Sequence, residues 1–554
     1  MSLSATVLKS SWLHLVVAGC VVVVVVLSKY YLAARRPKNY PPGPPTLPFI
    51  GNLTQVPRVK AFLKFEQLKS SYGSIIGLKM ASQNVVILNH YSHVKALFDQ
   101  RGAIYSSRPQ SHIATTLVCP NQIHLLLLPY GPEWRKQRRI LQSLLNINAV
   151  DKFLPLQNAE ATQTVVDIMH NPNGYYDHIR RYTTAVILAS VFGQRAKRFK
   201  SKNVQDLYHA QDQFTAILEQ GATPPVDAFG FLKYLPGGRW KAWAKEVRRE
   251  QKGLYMRLLG ETRERIGRGK GGDCFLGSIL QGQEKNGMDD EHVAYLAGNL
   301  MEAGSDTTAS TLLSFLLAMI KYPDELRKAQ AEVDEVCGPD RSPGPQDIGR
   351  LPFVKACMDE TLRWRPVASG MIPHMNTQDD TYMGYFFPKG TVFLPNVWAV
   401  SMDESEYQDP ARFMPDRWLP NEYGTRTTGT DPVTAQEDEA TQDFHGGHSG
   451  DDHGRRTTYG FGAGRRSCPG HWLAKNSLML NMAKLAWALD LAPAEGMSPA
   501  DVDDDISTAY LEGFLIAPKR FPISIKPRSE KHRAVIEAEF EKLTPTWDKY
   551  EDMD

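Results

Sequence analysis

The chain has few cysteines for its 554 residues: six, at positions 20, 119, 274, 337, 357 and 468, with no CxxC pair among them. That scatter excludes a disulfide-dense secreted scaffold and fits thiols in a reducing compartment. There is no long basic block and no zinc-finger spacing, and the net charge is only +3, so nucleic acid is not an expected partner. No Gly-rich dinucleotide fingerprint follows a strand pattern, and no phosphate loop is present. Internal repeats are also missing.

Charge is absent from one stretch in particular. Ser10 to Ser28 contains no Lys, Arg, Asp or Glu, and Val21 to Val26 is an unbroken valine run. This is about the length needed to cross a bilayer as a helix. Lys29, Arg35, Arg36 and Lys38 follow the run, whereas only Lys9 precedes it. These flanks favour an uncleaved anchor over a cleaved signal peptide and put the body of the chain on the cytosolic side. The reading is a luminal N-terminus over 1–9, a transmembrane anchor over 10–32 and a Pro-rich linker over 33–45, where Pro41, Pro42, Pro44 and Pro45 forbid helix. Asn52 opens a glycosylation sequon that is expected to be silent on the cytosolic side.

A single domain is expected over 46–527, followed by a tail over 528–554 whose AVIEAEFEKL stretch reads as a short surface helix. Strands are predicted at Ile75–Met80 and Asn84–Asn89, and helices over 132–147, 157–170 and 242–266. The longest helical pattern starts at Asp289–Asp290 and stops at Tyr322-Pro323. It is apolar nearly all round, which marks a central core helix. Residues 419–456 are rich in Gly, Thr, Asp and Glu and read as a disordered surface insertion. The insertion's His445, His448 and His453 come without cysteine or a periodic scaffold, so a solvated insertion is expected rather than a metal site.

Against this background FGAGRRSCPG, residues 461–470, stands out. It matches F-x-x-G-x-R-x-C-x-G through Phe461, Gly464, Arg466, Cys468 and Gly470, with Gly462 inside it. Three weaker motifs accompany it: Ala303-Gly304-Ser305-Asp306-Thr307-Thr308 in the long helix; Glu360-Thr-Leu-Arg363 followed by Phe413-Met-Pro415-Asp-Arg417-Trp418; and Trp134-Arg-Lys-Gln-Arg138. Alone, an ExxR or a WxxxR is common in helices. In this order and spacing the four together resemble the cytochrome P450 family, over nearly the whole chain after the anchor.

The resemblance implies a mainly α fold with a smaller β region and a haem b whose iron is bound by the Cys468 thiolate. A thiolate ligand pushes electron density onto iron and favours O–O cleavage. Phe461, Gly462 and Gly470 would shape and shield the ligand loop. Arg466, Trp134, Arg138 and His374 would reach the haem propionates. Glu360, Arg363 and Arg417 would form a buried charge triad needed for haem incorporation. Ala303 and Gly304 would leave room for dioxygen beside the helix, Thr307 would offer it a hydroxyl, and Asp306 would relay protons. Arg465, Arg135, Lys136 and Arg139 form either the docking face for an acidic electron donor or an ordinary solvated basic surface.

The implied activity is a monooxygenase that inserts one oxygen atom of O2 into a lipophilic small molecule. Too few residues follow Cys468 for a fused reductase. Electrons are therefore expected from NADPH–cytochrome P450 reductase in the same endoplasmic reticulum membrane, with cytochrome b5 as a second possible donor. HMNTQDDTYMGYFFPKGT and FMPDRWLP are similar to filamentous-fungal microsomal members of secondary metabolism, the O-methylsterigmatocystin oxidoreductase type among them. Pocket residues are expected from Ser107–Leu127, Leu300–Thr308, Val367–Ile372 and Tyr510–Phe514. The alternative within the family is rearrangement, desaturation or dehydration of an oxygenated intermediate; a haem-free membrane scaffold is the alternative outside it.

Overall fold

Helix formation begins where the charges are missing. The computed structural model describes residues 3–219, 221–270, 272–426 and 456–552. Its first helix, α1 (Leu3–Ala33), includes His14–Ala33, which is long and apolar enough to cross a membrane. Val21 to Leu27 lie exposed along it, as a lipid-facing surface would. The Pro-rich segment after α1 is packed rather than free. The Tyr40 hydroxyl donates to Val85 O (2.8 Å), the Gly77 N–H donates to Pro42 O (2.8 Å), and Arg36 Nη2 reaches Pro44 O (2.6 Å). A Cβ on Gly43 would come within 2.2 Å of Gly77 O, so the contact requires glycine. Asn52 is fully buried, and its amide donates to Pro44 O and Pro45 O.

The largest sheet is small and mixed. β1 (Ile75–Met80) pairs antiparallel with β2 (Gln83–Leu88) in the register Ile76↔Ile87. β2 then runs parallel to β4 (Val392–Pro395), and β4 pairs antiparallel with the two-residue edge strand β3 (His374–Met375). His374 is thereby fixed opposite Phe393.

Everything else of size is helical. α2 (Pro132–Leu144) starts on a proline, which fits the first helical position, and buries Trp134, Gln137 and Leu141. α3 (Leu154–His170) packs against α4 (Tyr175–Phe192) and α5 (Lys202–Leu218) against α6 (Arg239–Gly267), while α4 and α6 pack on α7 (Asp290–Lys321). α7 has a complete set of end signals. The Asp289 side chain accepts the His292 N–H (2.8 Å), Asp290 and Glu291 lie at the positive end of the helix dipole, and Pro323 follows the last turn. Its residues 308–320 are all buried, as expected of a central core helix. α8 (Pro323–Cys337), α9 (Pro352–Trp364) and α10 (His471–Ala488) complete the core, with β5 (Leu489–Pro493) and β6 (Ile523–Pro527) as an antiparallel pair.

The tail differs from a plain surface helix. α11 (Glu530–Glu541) buries Ile536 completely, and Glu539 accepts the Ser342 backbone N–H (2.9 Å). A further short helix, Thr544–Trp547, places the Trp547 ring 4.2 Å from the Arg195 guanidinium, and Glu551–Asp552 pair with Gln194–Arg195. The composition-biased 419–456 stretch lies outside the described residues from 427 to 455, and with it His445, His448 and His453.

Candidate active site

Cys468 sits just before α10, half-buried, in a loop shaped by its glycines. Gly462 (φ 79°) and Gly464 (φ 63°) occupy the left-handed region that side chains disfavour, and a Cβ on Gly464 would lie 2.3 Å from Phe98 O. The loop closes on itself: the Cys468 N–H donates to Phe461 O (2.7 Å) and the Gly462 N–H to Tyr459 O (2.9 Å). Burial pushes the Cys468 thiol up, against the Gly470 backbone N–H and the Arg138 charge, which pull it down. A buried sulfur with one N–H donor and one cation nearby suits a thiolate that is completed by a metal.

Arginines surround this loop. Arg466 lies over the Trp134 ring (4.4 Å) and donates to Ser106 O (2.8 Å) and Leu128 O (2.6 Å). Arg138 Nη2 donates to Ser467 O (2.6 Å), while its Nε is buried without a partner. Arg108, fully buried, donates to Pro373 O (2.6 Å) and Ile372 O (3.0 Å). Burial pushes Arg108 down to about 9; burial and then the charges of Arg108 and Arg138 push Arg466 down to about 8. His374 joins them: burial and then Arg108 drive it well below its usual value, its Nδ1 donates to Tyr105 O (2.8 Å), and its ring stacks on Phe98 at 4.1 Å.

Among the described residues no carboxylate pairs with Arg108, Arg138 or Arg466. Guanidinium groups stay protonated, and buried cations without counter-charge are costly. The cluster therefore fits a dianionic ligand, as the two propionates of a haem are, beside the sulfur that would hold its iron. The fold thus places Trp134, Arg138, His374, Arg466 and Cys468 near one another. Arg108 was not foreseen from the sequence. Its only signal was an arginine in Ser106-Ser107-Arg108-Pro109, which looks like any loop arginine until the fold buries it.

The α7 motif forms a second group, and no hydrogen bond among the described residues ties it to the cysteine loop. Ala303 is exposed, and the Thr307 hydroxyl donates back to its carbonyl (2.8 Å). At Gly304 a Cβ would meet Ile187 Cδ1 at 2.6 Å, so its smallness admits α4 against α7. Asp306 points elsewhere again. Arg180 Nη2 donates to its Oδ1 (3.1 Å), and both line a cavity of about 250 Å³ with Asp212, Glu219 and Glu512. The Arg180 guanidinium rests on the Tyr208 ring at 3.8 Å.

Glu360 is the hub of the third group. Fully buried, it accepts from Arg363 Nε (2.8 Å) and Nη2 (2.7 Å), Arg417 Nε (3.2 Å), Trp418 Nε1 (2.9 Å) and the Met414 N–H (2.9 Å). The expected triad is therefore a five-bond network that ties α9 to the 413–418 segment. On the outer face Arg135, Arg139 and Arg465 are exposed, while Lys136 pairs with Glu133 (2.8 Å).

Comparison with known proteins agrees with this geometry. Residues 41–523 match the family model for cytochrome P450. The cytochrome P450 monooxygenase patH of Aspergillus clavatus is 36% identical over 518 residues, 93% of this chain and 94% of that one. The cytochrome P450 monooxygenase yanC of Aspergillus niger is 34% identical over 534 residues, 94% and 96% of the two chains. A zebrafish cytochrome P450 solved with abiraterone shares the fold, with a TM-score of 0.64 at 23% identity, covering 84% of this chain and all of that one. The thiolate loop, the counter-charge cluster and this match over most of the chain lead to one conclusion: the chain belongs to the cytochrome P450 family, is a P450 monooxygenase, and uses a haem ligated by a cysteine thiolate.

Proposed function

We propose that Cys468 is the ligating thiolate and that the enzyme inserts one oxygen atom of O2 into a lipophilic small molecule, as a step in fungal secondary metabolism. When bound, the haem supplies reductive activation of dioxygen and transfer of one oxygen atom to substrate. The protein's residues supply the rest. Arg108, Arg138 and Arg466 balance the propionates, with His374 beside them. The Gly470 N–H and Arg138 favour the charged form of the sulfur.

Protons reach Asp306 from the cavity it shares with Asp212, Glu219 and Glu512. Arg180 holds the carboxylate on that side. Thr307, the next residue, receives the proton once its hydroxyl turns from the Ala303 carbonyl. The presence of this acid–alcohol pair is the observation that carries oxygen insertion over rearrangement or dehydration.

Electrons come from NADPH through a separate cytochrome P450 reductase, with cytochrome b5 as a second donor. The exposed Arg135, Arg139 and Arg465 offer the acidic donor a basic face. α1 anchors the chain in the endoplasmic reticulum membrane, in the same plane as its donor, which raises their effective concentration.

The test is spectroscopic and isotopic. Reduced, carbon monoxide-treated microsomes of the wild type should give the red-shifted thiolate–haem Soret band, and Cys468→His should abolish it. Turnover with reductase under isotopically labelled dioxygen should then place one labelled atom in the product. A band without label in any product would leave the family assignment standing and defeat the insertion reading.

A further inference from the structure

Residues 98–108 touch both sides of the proposed haem site. Phe98 stacks on His374, and its carbonyl occupies the place of a Gly464 Cβ. Tyr105 O accepts from His374, and Ser106 O accepts from Arg466. Between them, on a π-helical turn (Lys95–Gln100), stands Asp99, whose side chain is 5% exposed. Its Oδ1 accepts the Gly464 backbone N–H at 2.6 Å, and its two oxygens accept Arg456 Nε at 3.1 and 3.0 Å.

We propose that Asp99 is a positioning residue for the cysteine-ligand loop, acting through Gly464 and Arg456; the inference rests on Cys468 being the haem ligand. Gly464 has wide backbone freedom, so something outside it must select the conformation that aims Cys468. A short, charge-assisted bond to a carboxylate does so. The constraint is carried onward, because the Ser467 N–H donates to Gly464 O (3.2 Å) one residue before the cysteine. The ion pair with Arg456 in turn holds the Asp99 carboxylate in place.

The experiment compares Asp99→Asn, Asp99→Ala and Asp99→Glu in the full-length protein by the carbon monoxide spectrum. Asp99→Asn keeps an acceptor for the Gly464 N–H and should keep most of the thiolate band. Asp99→Ala leaves the Gly464 N–H unpaired. The ratio of thiolate-bound to displaced haem should then fall about tenfold, the population equivalent of one buried hydrogen bond. Asp99→Glu should restore part of that ratio. An Asp99→Ala spectrum that loses only total haem in step with folded protein overturns the inference, as does an Asp99→Asn protein as depleted of the thiolate band as Asp99→Ala. Absence of the thiolate band from the wild type itself would defeat the haem-ligand reading instead.

Discussion

Arg180 and Asp306 face each other across α4 and α7 at 3.1 Å, and each is half-buried beside the same cavity. Asp306 is therefore held toward that cavity by a specific cation. Asp306→Asn should lower coupled turnover by about a hundredfold, the usual contribution of a positioned acid, with haem content unchanged. Arg180→Leu should act differently. Burial and then the Asp306 charge raise Asp212, while Arg180 lowers it. Removing Arg180 raises Asp212 further, so the acid limb of the kcat–pH profile should move to higher pH. Stopped-flow turnover across pH, with product counted against NADPH consumed, checks both.

The Glu360 network sets a second expectation. Removing one partner of a buried ion pair strands the others and costs about 3–5 kcal/mol. Glu360→Ala strands Arg363 and Arg417 together, so the holoprotein yield should collapse. Glu360→Gln keeps one acceptor oxygen, for either Trp418 Nε1 or the Met414 N–H, and should be milder. The haem-to-protein ratio after purification, with urea unfolding of what remains, measures the difference. A fully haem-loaded Glu360→Ala protein would remove this network from haem incorporation.

How much of this could be read in the sequence follows from the range of each interaction. FGAGRRSCPG carries its own meaning because the ligand and the glycines that shape its loop lie within ten residues. α7 was legible from Asp289 to Pro323 because caps and apolar pattern are local signals. Arg108 and Asp99 were not. Their roles arise when the 98–108 segment is laid against residues 264 to 365 positions away, and nothing near them in sequence marks either one. That Ile187 of α4 lies where a Gly304 Cβ would be is likewise a fact of helix packing. The tail's apolar spacing announced a helix, while the surface it covers belongs to α3 and α10.

The three arginines around the sulfur give a signed expectation for the protein before haem enters. Burial lowers Arg108 and, with the charges of Arg108 and Arg138 added, Arg466; because each guanidinium stays protonated, these charges must be met by anions. Multivalent anions should raise the apoprotein's melting temperature more than chloride at equal ionic strength. Arg466→Leu should remove that excess effect. In the holoprotein the same change removes a propionate partner. Haem transfer to an excess of scavenger apoprotein should then accelerate by about tenfold, the worth of one charged hydrogen bond. A holoprotein whose haem transfer rate ignores Arg466→Leu would separate this arginine from the propionates.

The tail beyond the P450 family match makes the last case. α11 covers α3 with Ile536, and through Glu539 and Ser342 it reaches Lys484, whose Nζ donates to Ser342 Oγ at 2.6 Å. Lys484 is almost fully buried, and burial lowers it to about 8, opposed by the Glu539 charge. A cation with a depressed folded value is a penalty below that value, relieved as pH rises through it. Removing Glu539 lowers Lys484 further, so Glu539→Gln should destabilise the protein most below about pH 8, with the deficit shrinking toward alkaline pH. Ile536→Ala should cost about 2–5 kcal/mol, as other buried truncations do, and show no such pH dependence. Urea midpoints for the two variants at neutral and alkaline pH distinguish the electrostatic role of the tail from its packing role. Equal deficits for Glu539→Gln at both pH values would show that the tail holds Ser342 without serving the buried lysine.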